Sequence, residues 1–148
     1  METGYKRILI AVDTSIYSHK AARVGFALAK QLQSAIALIY VIDRSKEFVS
    51  ADLGITLSQS FEIFKKEADE VMDEMIKLNS GGALVERFTP EGLPEKEIIE
   101  ISKKWNADLI VMGTHGRTTL GKILTGSIAE YVIRHAAIPV LVTPPRME

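Results

Sequence analysis

A chain of 148 residues, 47% apolar and 25% charged, is long enough to bury one continuous core and excludes a disordered or fibrous protein. There is no cysteine, which excludes a disulfide framework, a thiolate metal site and a cysteine nucleophile. The formal net charge is −1, with Lys and Arg scattered among Asp and Glu, so no basic face is offered to a nucleic-acid backbone and no such partner is expected.

The chain opens Met-Glu-Thr-Gly-Tyr-Lys-Arg and runs into a short apolar stretch stopped by Asp13, too brief for a signal peptide. The longest clean apolar run, 35–42, is far too short to cross a bilayer. The expectation is a cytoplasmic protein with no membrane partner.

Residues 7–12 are apolar and rich in β-branched side chains, and predict a strand. Ala21, Val24, Leu28 and Leu32 then step at helical period. A second strand is predicted over 35–42. Leu57, Phe61, Phe64, Ala68, Val71, Met75 and Leu78 follow as one apolar stripe, read as a buried core face rather than a cofactor box. Gly81-Gly82 reads as a helix exit, and 83–88 as the third strand. Pro94 suits a first helical turn, with Glu95 and Glu97 behind it and Lys103 and Lys104 near the end, where the helix dipole favours them. Asn106 marks that helix's exit, and 108–112 predicts the fourth strand. Ser127-Ile-Ala-Glu130 has capping-box spacing before a last helix, and 139–143 is the fifth strand, closed by Pro144-Pro145.

Most of each strand run is apolar rather than alternating, as in strands covered on both faces. Strands alternating with helices predict a single α/β domain over 1–148, a parallel sheet with right-handed crossovers and helices on both sides. In such folds ligands bind beyond the carboxyl ends of the strands, where strand order reverses. The residues just after each strand therefore matter most: Asp13-Thr14-Ser15, Asp43-Arg44-Ser45, 89–92, 113–117 and Pro144-Pro145.

The fourth group stands out. From Gly113 the chain reads Gly-Thr-His-Gly-Arg-Thr-Thr-Leu-Gly-Lys-Ile-Leu-Thr-Gly-Ser. Glycines permit φ > 0 and a close approach by phosphate oxygens. The free amides of a helix start, here around Gly126, Ser127 and Ile128, face an anion with the positive end of the dipole. Arg117 and Lys122 could add charge. Singly, Gly113 and Gly116 make a turn and Ser127 caps a helix for about 1 kcal/mol. Jointly, at a strand end and a helix start, they point to phosphate. The run 116–122 has the glycine and lysine spacing of a P-loop, but Ile123 stands where that motif needs a hydroxyl for Mg²⁺.

Gly113, Gly116, Gly126 and Ser127 match the Gly-x2-Gly-x9-Gly-[Ser/Thr] pattern, and the chain resembles the ATP-binding branch of the universal stress protein family. The opening of the chain through Asp13 and Ser15 is similar to that family's first strand and acidic turn, and 138–142 to its last strand. The resemblance implies a three-layer α/β/α, Rossmann-like (adenine nucleotide alpha hydrolase-like) fold. Its five-stranded parallel sheet would have the order 3-2-1-4-5, with the switch point between strands one and four. It implies ATP as ligand, with Asp13 contacting adenosine and Val41 packing adenine. Gly113, Gly116, Gly126, Ser127 and Ile128 would meet ribose and phosphates, and Ala11, Met112 and Arg117 complete the set. Ala11 stands where relatives have Pro.

No efficient catalytic machinery is visible. His115 is the one His near the loop and has no carboxylate at a readable spacing to orient it. His19 and His135 read as surface helix positions, and no pair of His or Glu has metal-ligand spacing. Mg²⁺ or Mn²⁺ would be held mainly by the phosphates. The expected role is a nucleotide-dependent regulator of the stress response, not an enzyme. The other reading is a nucleotide-free interaction module of the same fold. A flavin domain or a phosphorelay domain shares the architecture, but the latter needs an Asp and a Lys where this chain has Thr89 and Pro144. The fifth strand, Pro139 to Thr143, carries no charge, and an uncharged edge is expected to pair with its two-fold copy in a homodimer.

Overall fold

The computed structural model describes residues 4–43, 45, 54–114, 116–117, 123–124 and 126–145. In chain order its elements are β1 (Arg7–Ala11), α1 (Ile16–Leu32), β2 (Ala35–Ile39), α2 (Leu57–Asn79), β3 (Val85–Phe88) and α3 (Pro94–Lys104). There follow β4 (Leu109–Gly113), β5 (Gly116–Arg117), β6 (Ile123–Leu124), α4 (Ser127–His135) and β7 (Val140–Thr143). The five-stranded sheet has the order β3-β2-β1-β4-β7, every pairing in it parallel. This is the expected 3-2-1-4-5 arrangement, a Rossmann-like α/β/α fold whose order reverses between β1 and β4.

Side chains alternate across the sheet and define two cores. Ile8, Ile10, Val12, Ile36, Leu38, Leu109 and Val111 meet Ala22, Phe26 and Ala29 of α1 and Ala68, Met72 and Met75 of α2. Leu9, Ala37, Ile39, Ile110 and Met112 meet Ile98 and Ile99 of α3 and Ala129 and Val132 of α4. Each of the Ile, Leu, Val, Phe and Met side chains, fully buried, contributes roughly 1.5–3 kcal/mol, and the alanines less. That is why the central strands read as continuous apolar runs.

The edges and helices correct several expectations. β3 is not covered on both faces: Glu86 and Arg87 are exposed, and Leu84, expected within this strand, lies before it and is 96% exposed. β2 ends at Ile39, yet pairing continues through Tyr40 N–H to Phe88 O at 2.9 Å and Ile42 N–H to Pro90 O at 2.8 Å. On α2 the stripe is buried in its middle, while Leu57 and Leu78 at its ends are exposed. α1 turns a different face inward: Ser18, Ala21, Ala22, Gly25, Phe26 and Ala29 are buried, and Leu32 is exposed. The contact face of α1 is built from small residues, which a search for large apolar side chains overlooks.

Pro94 occupies the first turn of α3, as expected. Asn106, one residue past that helix's C-cap, has φ 56°. The capping box falls elsewhere than expected. Gly126, not Ser127, is the N-cap of α4, and no side chain caps it. The reciprocal box is at α2, where Thr56 Oγ1 accepts Gln59 N–H and Gln59 Oε1 accepts Thr56 N–H. An antiparallel pair of two-residue strands, β5 with β6, was not expected.

The amino edge of the sheet is clamped by polar contacts. Asp108 Oδ2 accepts the N–H groups of Lys6 and Arg7, each at 2.9 Å. Arg7 Nε donates to Trp105 O at 2.8 Å, and its guanidinium lies 4.2 Å from the centre of the indole ring. Among the described residues no helix is long and apolar enough to cross a membrane.

At Gly25 an added Cβ would lie 2.6 Å from Ile10 Cδ1 and 2.8 Å from Ile10 Cγ1, and Ile10 is fully buried. Gly25→Val should therefore destabilise the fold by about 1–3 kcal/mol, the cost of overpacking a closed core. Urea denaturation reads this as a lowered midpoint. The same change at Gly4, which has nothing within 4 Å, should leave the midpoint in place.

Candidate functional site

A cavity of about 400 Å³ opens at the carboxyl edge of the sheet, in the size range of small-molecule sites. It forms where the topology requires, since the crossovers of β1 and β4 leave to opposite faces of the sheet and a crevice opens between them. Ala11, Asp13, Val41, Met112, Gly113, Gly126, Ser127 and Ile128 all line it. Gly116 and Arg117 lie in β5, paired with Leu124 and Ile123. His115 and Lys122 lie outside the described residues, as do Arg44 and 118–121 of the P-loop-like run.

The turn after β1 is held by a closed set of hydrogen bonds. Asp13 N–H donates to Ser18 Oγ at 2.7 Å, and that hydroxyl donates to Asp13 Oδ1 at 2.7 Å. Oδ1 also accepts Ser15 N–H at 2.7 Å. Asp13 is thus not the N-cap of α1: Ser15 is, and its own side chain caps nothing. The carboxylate sits over the first turn of α1, where the dipole favours a negative charge.

Three helix starts line the cavity, and they differ electrically. The first turn of α1 already faces Asp13. α3 begins with Leu93 as N-cap and Pro94, which has no N–H, followed by Glu95 and Glu97. It contributes an apolar wall through Pro94 and Ile98. α4 begins with Gly126, which has no side chain to cap the helix, and Ser127, Ile128 and Ala129 line the cavity; among the described residues no side-chain cap is made there. The one acid of its first turn, Glu130, is paired with Arg134 at 2.8 Å. The start of α4 is therefore the end of the cavity suited to an anion.

The expected φ > 0 is not found at the ends of the glycine loop. Gly126 has φ −58° and ψ 155°, and Gly113 lies outside the left-handed region. Gly113 is glycine for another reason: a Cβ there would stand 3.0 Å from the Tyr17 carbonyl oxygen of α1. Its missing side chain lets α1 approach the end of β4.

The site also holds residues that the sequence reading missed. Tyr17, Tyr40, Phe64, Glu67, Pro94 and Ile98 line the cavity. Tyr40 Oη donates to Glu67 Oε1 at 3.2 Å. Burial raises the Tyr40 pKa, and the charges of Glu67 and Asp13 and the bond to Glu67 push it the same way. The available signal was a tyrosine at the polar end of an apolar strand run, with Phe64 and Glu67 three apart on a helix.

Residues 4–144 match the universal stress protein family. The chain belongs to that family. Universal stress protein MJ0531 of Methanocaldococcus jannaschii is 39% identical over 146 residues, covering 95% of this chain and 83% of that protein. Universal stress protein MJ0577 of the same organism is 32% identical over 156 residues, covering 96% of each. The solved structure of MJ0577 superposes with a TM-score of 0.82 at 28% identity, covering 99% of this chain and 100% of that one. A universal stress protein solved in complex with cAMP shares the fold, with a TM-score of 0.71 at 19% identity over 97% of this chain and all of that one.

The raised Tyr40 pKa carries a sign. The folded state favours the neutral phenol, so its contribution to stability is complete below the unfolded tyrosine value of about 10 and is lost as pH rises above it. Ultraviolet titration should show a late phenolate step that Tyr40→Phe removes, and alkaline unfolding of that variant should depend less steeply on pH.

Proposed function

We propose that this universal stress protein binds ATP in the cavity and acts as a nucleotide-dependent regulator of the stress response rather than as an efficient enzyme. The observation that carries the reading is the opposed polarity of the cavity. The uncapped N–H groups of Ser127, Ile128 and Ala129 stand at one end, and the Asp13 carboxylate faces the same space from the turn after β1. A ligand with an anionic tail and a hydrogen-bond-donating head suits that arrangement, and ATP has both.

In this reading Asp13 takes the adenosine and Val41, Ala11 and Met112 supply the apolar surface under the base. Gly126, Ser127 and Ile128 receive the phosphates, with Gly113, Gly116 and Arg117 of the preceding loop beside them. A chain of the same fold is known with cAMP, so the fold admits an adenine nucleotide. In this reading Mg²⁺ or Mn²⁺ would be held mainly by the phosphates. Gly126→Val places a branched side chain where the phosphates would lie and should weaken ATP binding at least tenfold by calorimetry, about 1.4 kcal/mol. Equal affinity in a folded variant would remove the loop from the site. Turnover of bound ATP should fall below the usual enzyme range, roughly 1 s⁻¹ at its lower bound.

The same reading includes a homodimer through β7. Among the described residues this strand pairs only with β4, Val140 to Val142 are half-buried, and none of its residues is charged. An uncharged edge with open backbone groups is stabilised by pairing with a second copy. Light scattering at micromolar concentration should give twice the 16.4 kDa chain mass, and Val140→Lys should return it to one. A dimer that survives the lysine has its interface elsewhere.

A further inference from the structure

The cavity reaches round the end of β2 to both faces of the sheet. Val41 lines it on the side of α3, and Tyr40 and Ile42 line it on the side of α2, joined there by Phe64 and Glu67. Phe64 and Glu67 are three apart on α2, so one helix turn presents an aromatic ring and a carboxylate to the same space. Neither belongs to the glycine loop or to the turn after β1.

We propose that Glu67, positioned by Tyr40, is a specificity-determining residue that reads a hydrogen-bond donor on the ligand base and so selects a 6-aminopurine over a 6-oxopurine. This rests on the reading that the cavity holds a purine nucleotide. Three observations carry it. First, Glu67 lines the same cavity as Asp13 and Val41. Second, its Oε1 is held by the Tyr40 hydroxyl at 3.2 Å, and Tyr40 is only 8% exposed, so the carboxylate is tied to a fixed support. Third, the Tyr40 hydrogen is used on Glu67, which leaves the phenol oxygen as an acceptor.

The side chains at this end of the cavity, Asp13, Glu67 and Tyr40, therefore present acceptors. Asp13, Tyr40 and Glu67 line the same cavity, and the charges of both carboxylates act on the phenol. Burial and those charges keep the phenol protonated, so its bond to Glu67 persists across the neutral range. An exocyclic amine satisfies such a wall. A carbonyl oxygen at the same position meets negative charge and offers Glu67 no donor beyond the one Tyr40 supplies, so the ligand's hydrogen bond is lost. Sites that hydrogen-bond a donor reject the analogue lacking it far more strongly than apolar pockets reject a change of size.

The test is the ratio of dissociation constants for ATP and inosine triphosphate, measured by calorimetry at one salt concentration on the full chain. Its variants are Glu67→Gln and Tyr40→Phe, with circular dichroism confirming their fold. The unaltered chain should prefer ATP by roughly 10–100-fold, from the loss of one charge-assisted hydrogen bond. Glu67→Gln, whose amide can donate to a carbonyl, should bring the two constants together. Tyr40→Phe frees the carboxylate and should lower the ratio part of the way, so it decides the matter should Glu67→Gln fail to fold. An unaltered chain that binds both nucleotides equally overturns the assignment, as does a ratio unchanged in the folded variants. A chain that binds neither nucleotide overturns the ATP reading itself, a result distinct from the other two.

Discussion

The distance between α1 and the sheet is set at two points where a Cβ is missing. Gly25 stands over Ile10 and Val111 in the middle of the helix, and Gly113 stands under the carbonyl of Tyr17 at its start. Between them they let α1 lie against β1 and β4, the two strands on either side of the reversal in strand order. The turn joining β1 to α1 is held tight in consequence, and Ser18 of α1 reaches back to both the N–H and the carboxylate of Asp13. A wider spacing would carry Ser18 away from Asp13 and release that turn. Close packing of the core and the shape of the cavity are thus one constraint seen from two ends.

Charge around the cavity follows the helix starts. Each helix leaves N–H groups unpaired at its first turn, and each must find a partner. α2 finds them within its own chain, through Thr56 and Gln59, and its start does not line the cavity. α1 has Asp13 beside its first turn, and α3 has a proline and two glutamates. At α4 the capping position is a glycine with no side chain to turn inward, and Glu130 is engaged by Arg134. Among the described residues, the helix start without a capping side chain or an unpaired acid beside it is the one that follows the glycine loop.

Much of this was legible in the sequence, because strand runs and helix periods are local signals. The central strands are short β-branched runs, apolar on both faces, and Pro94 and Asn106 mark ends by their own backbone preferences. Strand order came by resemblance, and periodicity alone does not supply it. The residues missed share a cause: their meaning depends on what lies opposite. Gly25 has no pattern in sequence and is explained only by Ile10 across the core. Ser127 has a capping-box spacing, yet the helix starts one residue earlier and turns that serine into its first residue. Gly113 lines the cavity, and its missing side chain also makes room for α1, which the sequence does not show. Tyr40 and Glu67 lie 27 residues apart and meet only because α2 crosses the end of β2.

The two edges of the sheet face the same physical problem and differ in how it is met. Among the described residues both β3 and β7 have a neighbour on one side only. On β3, Glu86 and Arg87 are exposed and engaged, Glu86 by the Trp105 indole N–H and Arg87 by Asp73 of α2. A second strand adding there would have to strip or accommodate both charges, which is how natural sheets discourage pairing. On β7 the residues Val140, Leu141 and Val142 are half-buried and apolar, and Thr143 at the end of the strand is buried. Nothing on that strand opposes a partner, and burial of its apolar side chains would favour one. The asymmetry lies in the side chains rather than in the topology. It leaves β3 an edge that carries charge and β7 an edge whose own residues carry none.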